Sequence, residues 1–73
     1  MYMGQSYYTI NVIGKNGYSF MVHGYIKHEE DAIQQALDND LFNDELDAEQ
    51  AMAEEAVPTE VRHFEECGCV YEV

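Results

Sequence analysis

Between Tyr7 and Ile13 the side chains alternate, with Tyr8, Ile10 and Val12 on one side of the chain and Thr9 and Asn11 on the other. A period of two is that of a half-buried strand, whose successive side chains point to opposite faces. Gly14-Lys15-Asn16-Gly17 follows. Asn-Gly between two β-prone runs predicts a tight hairpin turn, because both residues tolerate positive φ. The second strand then runs from Tyr18 to about Ile26, with Phe20, Val22 and Ile26 turned to the core.

At His28 the period changes. Ala32, Ile33, Ala36 and Leu37 recur at helical spacing behind an acidic start, Glu29-Glu30-Asp31, and predict a first helix ending near Asp38 or Asn39. Leu41 and Phe42 form an apolar plug in the connection. Asn43 or Asp44 caps a second predicted helix that reaches Ala56, with Leu46, Met52, Ala53 and Ala56 facing inward and Pro58 closing it. From Glu60 to Val73 the apolar residues Val61, Phe64, Val70, Tyr71 and Val73 read as β-prone, interrupted at Cys67-Gly68-Cys69 by a turn or bulge. The expected architecture is a single α+β domain over residues 1–73, ββααβ or ββααββ, in which the C-terminal strands complete an antiparallel sheet.

Charge changes the picture more than composition does. Fifteen Asp and Glu stand against three Lys and Arg, a formal net charge of −12, which opposes direct binding to nucleic acid or to an anionic membrane. Nine aromatics and a good supply of aliphatic residues make the chain too apolar for a disordered acidic tail. The N-terminal residues carry neither a basic nor an apolar signal region, and no stretch approaches the length of a membrane span. The expectation is a cytoplasmic protein. A core this small yields about 3–5 kcal/mol, so a second copy of the chain is an expected way to add stability.

Residues 28–56 hold eleven acids (Glu29, Glu30, Asp31, Asp38, Asp40, Asp44, Glu45, Asp47, Glu49, Glu54 and Glu55) and no Lys or Arg. Those at the predicted helix starts complement the helix dipole, whereas Asp38, Asp40, Glu54 and Glu55 fall near predicted helix ends, where negative charge costs about 0.3–1 kcal/mol per group. Glu45 and Glu49 are like charges four residues apart with no lysine to relieve them. Two readings stand side by side. One is a solvated face that keeps the domain soluble. The other is a binding face that imitates a nucleic-acid backbone or docks a basic protein. Tyr2, Tyr7, Tyr8, Tyr18 and Tyr25 crowd the hairpin; they serve sheet packing, or some of them, Tyr7, Tyr18 and Tyr25 first, act as aromatic anchors of an interface.

Other chemistry is thinly supported. His63, Cys67 and Cys69 combine imidazole and thiol, but C-x-C is tighter than the usual zinc spacing and a fourth ligand would have to be His23, His28 or a carboxylate, so neither metal nor cofactor is expected. The two cysteines read as reduced thiols beside a glycine kink. Adjacent acids such as Glu29/Glu30 and Glu65/Glu66 do not converge on one substrate atom, and there is no nucleophile motif or phosphate loop, so no enzymatic activity is expected.

The run Tyr8-Thr9-Ile10-Asn11-Val12, a hairpin, and then Glu29-Glu30-Asp31-Ala32-Ile33-Gln34-Gln35-Ala36-Leu37 resembles the small acidic ββα proteins of phages and plasmids. Size and charge are similar to anti-CRISPR proteins and other phage-encoded inhibitors of host defence, several of which act as DNA mimics. The resemblance spans residues 7–57, rests on architecture and charge, and carries no functional residues across. It implies an inhibitor whose acidic helical face occupies the basic groove of a host nuclease or defence complex in the host cytoplasm. The alternative is a regulatory or structural module that dimerises through its sheet edge or tyrosines, its acidity serving solubility.

Overall fold

The computed structural model describes residues 5–73, so Tyr2 of the hairpin tyrosines lies outside the described residues. In chain order the elements are β1 (Gln5–Val12), β2 (Tyr18–Tyr25), α1 (Glu29–Asp38), α2 (Glu45–Gln50), β3 (Ala51–Glu55), α3 (Pro58–Cys67) and β4 (Val70–Glu72). The strands form one sheet in the order β3-β1-β2-β4. β1 pairs antiparallel with both β2 and β3, while β4 runs parallel to β2. The domain is α+β, as the alternation and the helical spacing imply, but the sheet is mixed rather than antiparallel.

The first hairpin forms where the alternation places it, with Tyr8 opposite Val22 and Ile10 opposite Phe20. Its connection differs from a two-residue turn. Val12 pairs with Tyr18, so residues 13–17 form a five-residue loop, and neither Asn16 nor Gly17 has positive φ. Gly17 is needed for space instead: a Cβ there would stand 2.8 Å from the Val12 carbonyl oxygen.

Two expectations are overturned downstream of α2. The predicted helix to Ala56 stops at Gln50, and Ala51–Glu55 is an edge strand that registers Ala53 against Ile10. Ala, Met and Glu are good helix formers, but pairing with β1 outweighs that weak local preference. Pro58, expected to close a helix, opens one. It stands at the first position of α3, where its missing N–H is no loss. Glu60 accepts the Val57 backbone N–H at 3.2 Å, and Gly68, at φ 77°, ends the helix in the left-handed conformation that glycine adopts without a Cβ penalty. The segment expected as strand from Glu60 is therefore helical, and only Val70–Glu72 is extended.

Tyr8, Ile10, Val12, Phe20, Val22 and Ile26 form the core with Ala32 and Ala36 of α1 and Ala53 of β3. Leu41, Phe42 and Ile33 pack against this cluster, and Phe20 meets Phe42 and Tyr71 edge-on. The path from β2 through α1 and α2 to β3 crosses the sheet one way, and the path through α3 to β4 crosses it back. Right-handed crossovers in opposite directions set their helices on opposite faces. Thr9 and Met21, paired in register on the face away from α1, are 3% and 0% exposed, consistent with α3 lying over them. No helix among the described residues is long and apolar enough to cross a membrane.

Candidate functional site

The acids of residues 28–56 separate into three groups. Glu29, Glu30 and Asp31 occupy the exposed first turn of α1, where the unpaired N–H groups and the positive dipole end favour them, and with Tyr8, Lys27 and His28 they line a shallow cavity of about 420 Å³. Asp38, Asp40, Asp44, Glu45, Asp47 and Glu49 surround the junction between α1 and α2. Glu54 and Glu55 are not on a helix; they lie on the edge strand β3 and, as consecutive strand residues, point to opposite faces. The continuous two-helix array expected from a long second helix is therefore shorter than it seemed.

The junction is built by capping. Asp44 Oδ1 accepts the Asp47 backbone N–H at 3.0 Å and starts α2. Tyr18 ties the junction to the sheet: its hydroxyl donates to Asp47 Oδ2 at 3.3 Å and accepts the Asn43 backbone N–H at 3.1 Å. Asp38 accepts from Gln34 Nε2 at 2.9 Å. Asp40 has φ 56°, a left-handed conformation in a residue with a Cβ. The Leu41 N–H bonds the Ala36 carbonyl and the Asp40 N–H bonds the Leu37 carbonyl, the arrangement that usually places glycine at this position.

Lys15 shares a cavity with Asp44 and Asp47, and Lys27 shares one with Glu29, Glu30 and Asp31, but among the described residues no Lys or Arg comes within ion-pair distance of these carboxylates. Among the described residues the one contact within salt-bridge distance joins His23 Nδ1 to Glu72 at 3.9 Å, at the far edge of the sheet. The field reaches the neighbouring phenols. Burial pushes the Tyr8 hydroxyl above its ordinary pKa of 10.0, and Glu55, Glu29 and Asp31 push it further. Burial also raises Tyr18; the Asn43 N–H opposes this, while Asp47 and Asp44 reinforce it.

Between α1 and α2 the structure opens a groove of about 460 Å³ over Ile33, Leu37 and Ala48, rimmed by Glu30, Gln34, Glu45 and Glu49. This juxtaposition could not be read from charge counts. Leu37, one of the four apolar residues at helical spacing, is 37% exposed at the groove, and Ala48 rather than the expected Leu46 is the buried residue of α2.

The candidate tyrosines do not form one patch. Tyr7 stacks on His23 with ring centroids 4.1 Å apart on the α3 face of the sheet, and Tyr18 is held by the α2 junction. Tyr25 is 67% exposed at the end of β2. His63 Nε2 lies 3.9 Å from Cys67 Sγ, one helical turn away, and Cys69 is half-buried beyond Gly68. No three His, Cys, Asp or Glu among the described residues come together as a metal site. The chain matches no protein-family model, no curated protein and no solved structure.

Proposed function

We propose that this protein is a non-catalytic acidic binder that engages the basic nucleic-acid-binding surface of a partner protein, of the kind found in nucleases and defence complexes. The observation that carries this reading is the junction of α1 and α2, where five exposed carboxylates (Asp38, Asp40, Asp44, Glu45 and Glu49) gather with no Lys or Arg ion pair among the described residues. A charge this uncompensated destabilises its own fold by self-repulsion, and a cationic partner relieves it. The rival reading, pairing of two copies along β3, brings Glu54 and Glu55 of both copies, four carboxylates, onto one short two-stranded ribbon, which like-charge repulsion opposes.

Displacement of a fluorescent DNA duplex from a panel of purified basic nucleic-acid-binding proteins tests the proposal. Wild type is expected to displace the duplex from at least one of them, with an affinity that falls steeply as salt rises. Neutralising the five junction acids to Gln or Asn should lower the affinity at least tenfold and flatten the salt slope. Displacement no better than that by a polyglutamate peptide of equal charge would sink the reading.

A further inference from the structure

Charge alone brings two surfaces together quickly but does not hold them, since rim charges act on association and salt dependence more than on dissociation. The α1–α2 groove supplies what the acids lack. Its floor is apolar, with Ile33 and Leu37 one helical turn apart on α1 and Ala48 of α2 facing them, and its rim is acidic, with Glu30 on one side and Glu45 and Glu49 on the other. Neither Lys15, Lys27 nor Arg62 lines it.

This pattern selects its occupant. A second copy of the chain, with a net charge of −12, would set one acidic rim against another. A neutral apolar ligand would leave the rim carboxylates without partners at the moment it partly excluded water from them, which weakens binding. A segment with apolar side chains between Lys or Arg residues satisfies floor and rim together, as an amphipathic helix does when it lays its apolar face into a groove. We infer that the α1–α2 groove is a docking site for a basic amphipathic segment of a partner protein, whose apolar side chain enters over Leu37 and whose flanking cations pair with Glu30, Glu45 and Glu49. The inference rests on the acidic-binder reading and adds to it an anchor, so the interface would be slow to dissociate as well as fast to form.

Two synthetic twelve-residue peptides of equal positive charge separate the two claims. One carries Leu and Phe flanked by Lys and Arg; in the other, Leu and Phe are replaced by Ser. Titration into ¹⁵N-labelled full-length protein at 0.15 M NaCl is expected to shift the amides of residues 30–37 and 45–49 first, with the apolar-bearing peptide at least tenfold tighter. Leu37→Ser should bring the two peptides to equal affinity. Glu45→Gln with Glu49→Gln, both exposed and with no side-chain hydrogen bond or ion pair among the described residues, should weaken both peptides while leaving the preference intact. If both peptides bind equally to wild type, with shifts spread over all the acidic surface, the groove is not the anchor although the acidic-binder reading survives. If neither binds, both fail. Groove shifts that grow with protein concentration before any peptide is added would assign the groove to a second copy and overturn the inference.

Discussion

The two faces of the sheet are covered by helices that grip it very differently. On one face α1 presents Ala32 and Ala36, both completely buried, and small side chains there bring the helix close to β1 and β3, over Ile10 and Ala53. On the other, no residue of α3 is fully buried, and Val61 and Phe64 stay partly exposed. That second face also carries the one buried side-chain oxygen without a hydrogen-bond partner among the described residues, Thr9 Oγ1. The acidic junction is mounted on the tightly packed side. A binding surface gains from a rigid support, because ordering its side chains at the moment of binding lowers affinity.

Core truncations should make this contrast large. Phe20→Ala removes a ring that meets Tyr18, Phe42 and Tyr71, and should cost about 3–5 kcal/mol. In a domain of this size that is comparable with the whole stability. Phe64→Ala in α3 should cost less, about 2 kcal/mol, since its ring is partly exposed rather than fully buried. Urea unfolding of both variants measures the difference, and hydrogen exchange should show α3 amides opening before those of α1. Equal costs would mean that α3 is as integral to the fold as the core.

The same contrast explains what could be read in advance. β1, β2 and α1 were legible because each has one strongly apolar side against the core, so period and packing agree. Ala51–Glu55 has helix-forming residues and a helix immediately before it; its strand identity comes from the exposed edge of β1, a tertiary cause with little trace in local preference. Yet Ala51 and Ala53 alternate with Met52 and Glu54, a short period-two signal. For α3 the signature was present in full, with Pro58 at the start, Glu60 two residues on, Val61 and Phe64 three apart and Gly68 past the end. A proline marks the end of one helix as readily as the start of the next, and the helix-forming residues before Pro58 favour the first reading. The acids were visible at once, but the groove between α1 and α2 depended on where α2 turns and which of its residues face inward.

High pH probes the tightly packed face through the phenols of Tyr8 and Tyr18. The phenols of Tyr8 and Tyr18 hold their protons more tightly in the folded protein than the ordinary 10.0 of an unfolded chain. Above pH 10 the unfolded chain therefore releases protons that the native state retains, and unfolding gains free energy as pH rises. The stabilising contribution is complete below pH 10 and is lost as pH climbs through the raised folded values. Thermal melts from pH 8 to 11 should show a decline starting near pH 10. Tyr8→Phe should lose a little stability at pH 8, because its hydroxyl donates to the Lys27 carbonyl, and should decline less steeply above pH 10. An unchanged slope in that variant would show that Tyr8 titrates as it does in water.

The smallest expected effect lies in the acidic junction itself, at Asp40. A left-handed residue with a Cβ costs about 1–2 kcal/mol, less for Asp, whose short side chain tolerates that region. A negative charge just past the C-terminus of α1 adds about 0.3–1 kcal/mol. Asp40→Gly removes both penalties but loosens the unfolded chain, which offsets about 0.4–1 kcal/mol. The net should be a stabilisation of about 0.5–1 kcal/mol, seen as a rise in melting temperature. Asp40→Asn removes the charge and keeps a side chain that tolerates positive φ, so it should recover only the electrostatic part, about 0.3–0.5 kcal/mol. If Asp40 serves binding, both variants should be more stable than wild type yet compete less well with duplex DNA for a basic partner. A variant that is more stable and competes equally well would place Asp40 outside the interface and leave Glu30, Glu45 and Glu49 to carry it.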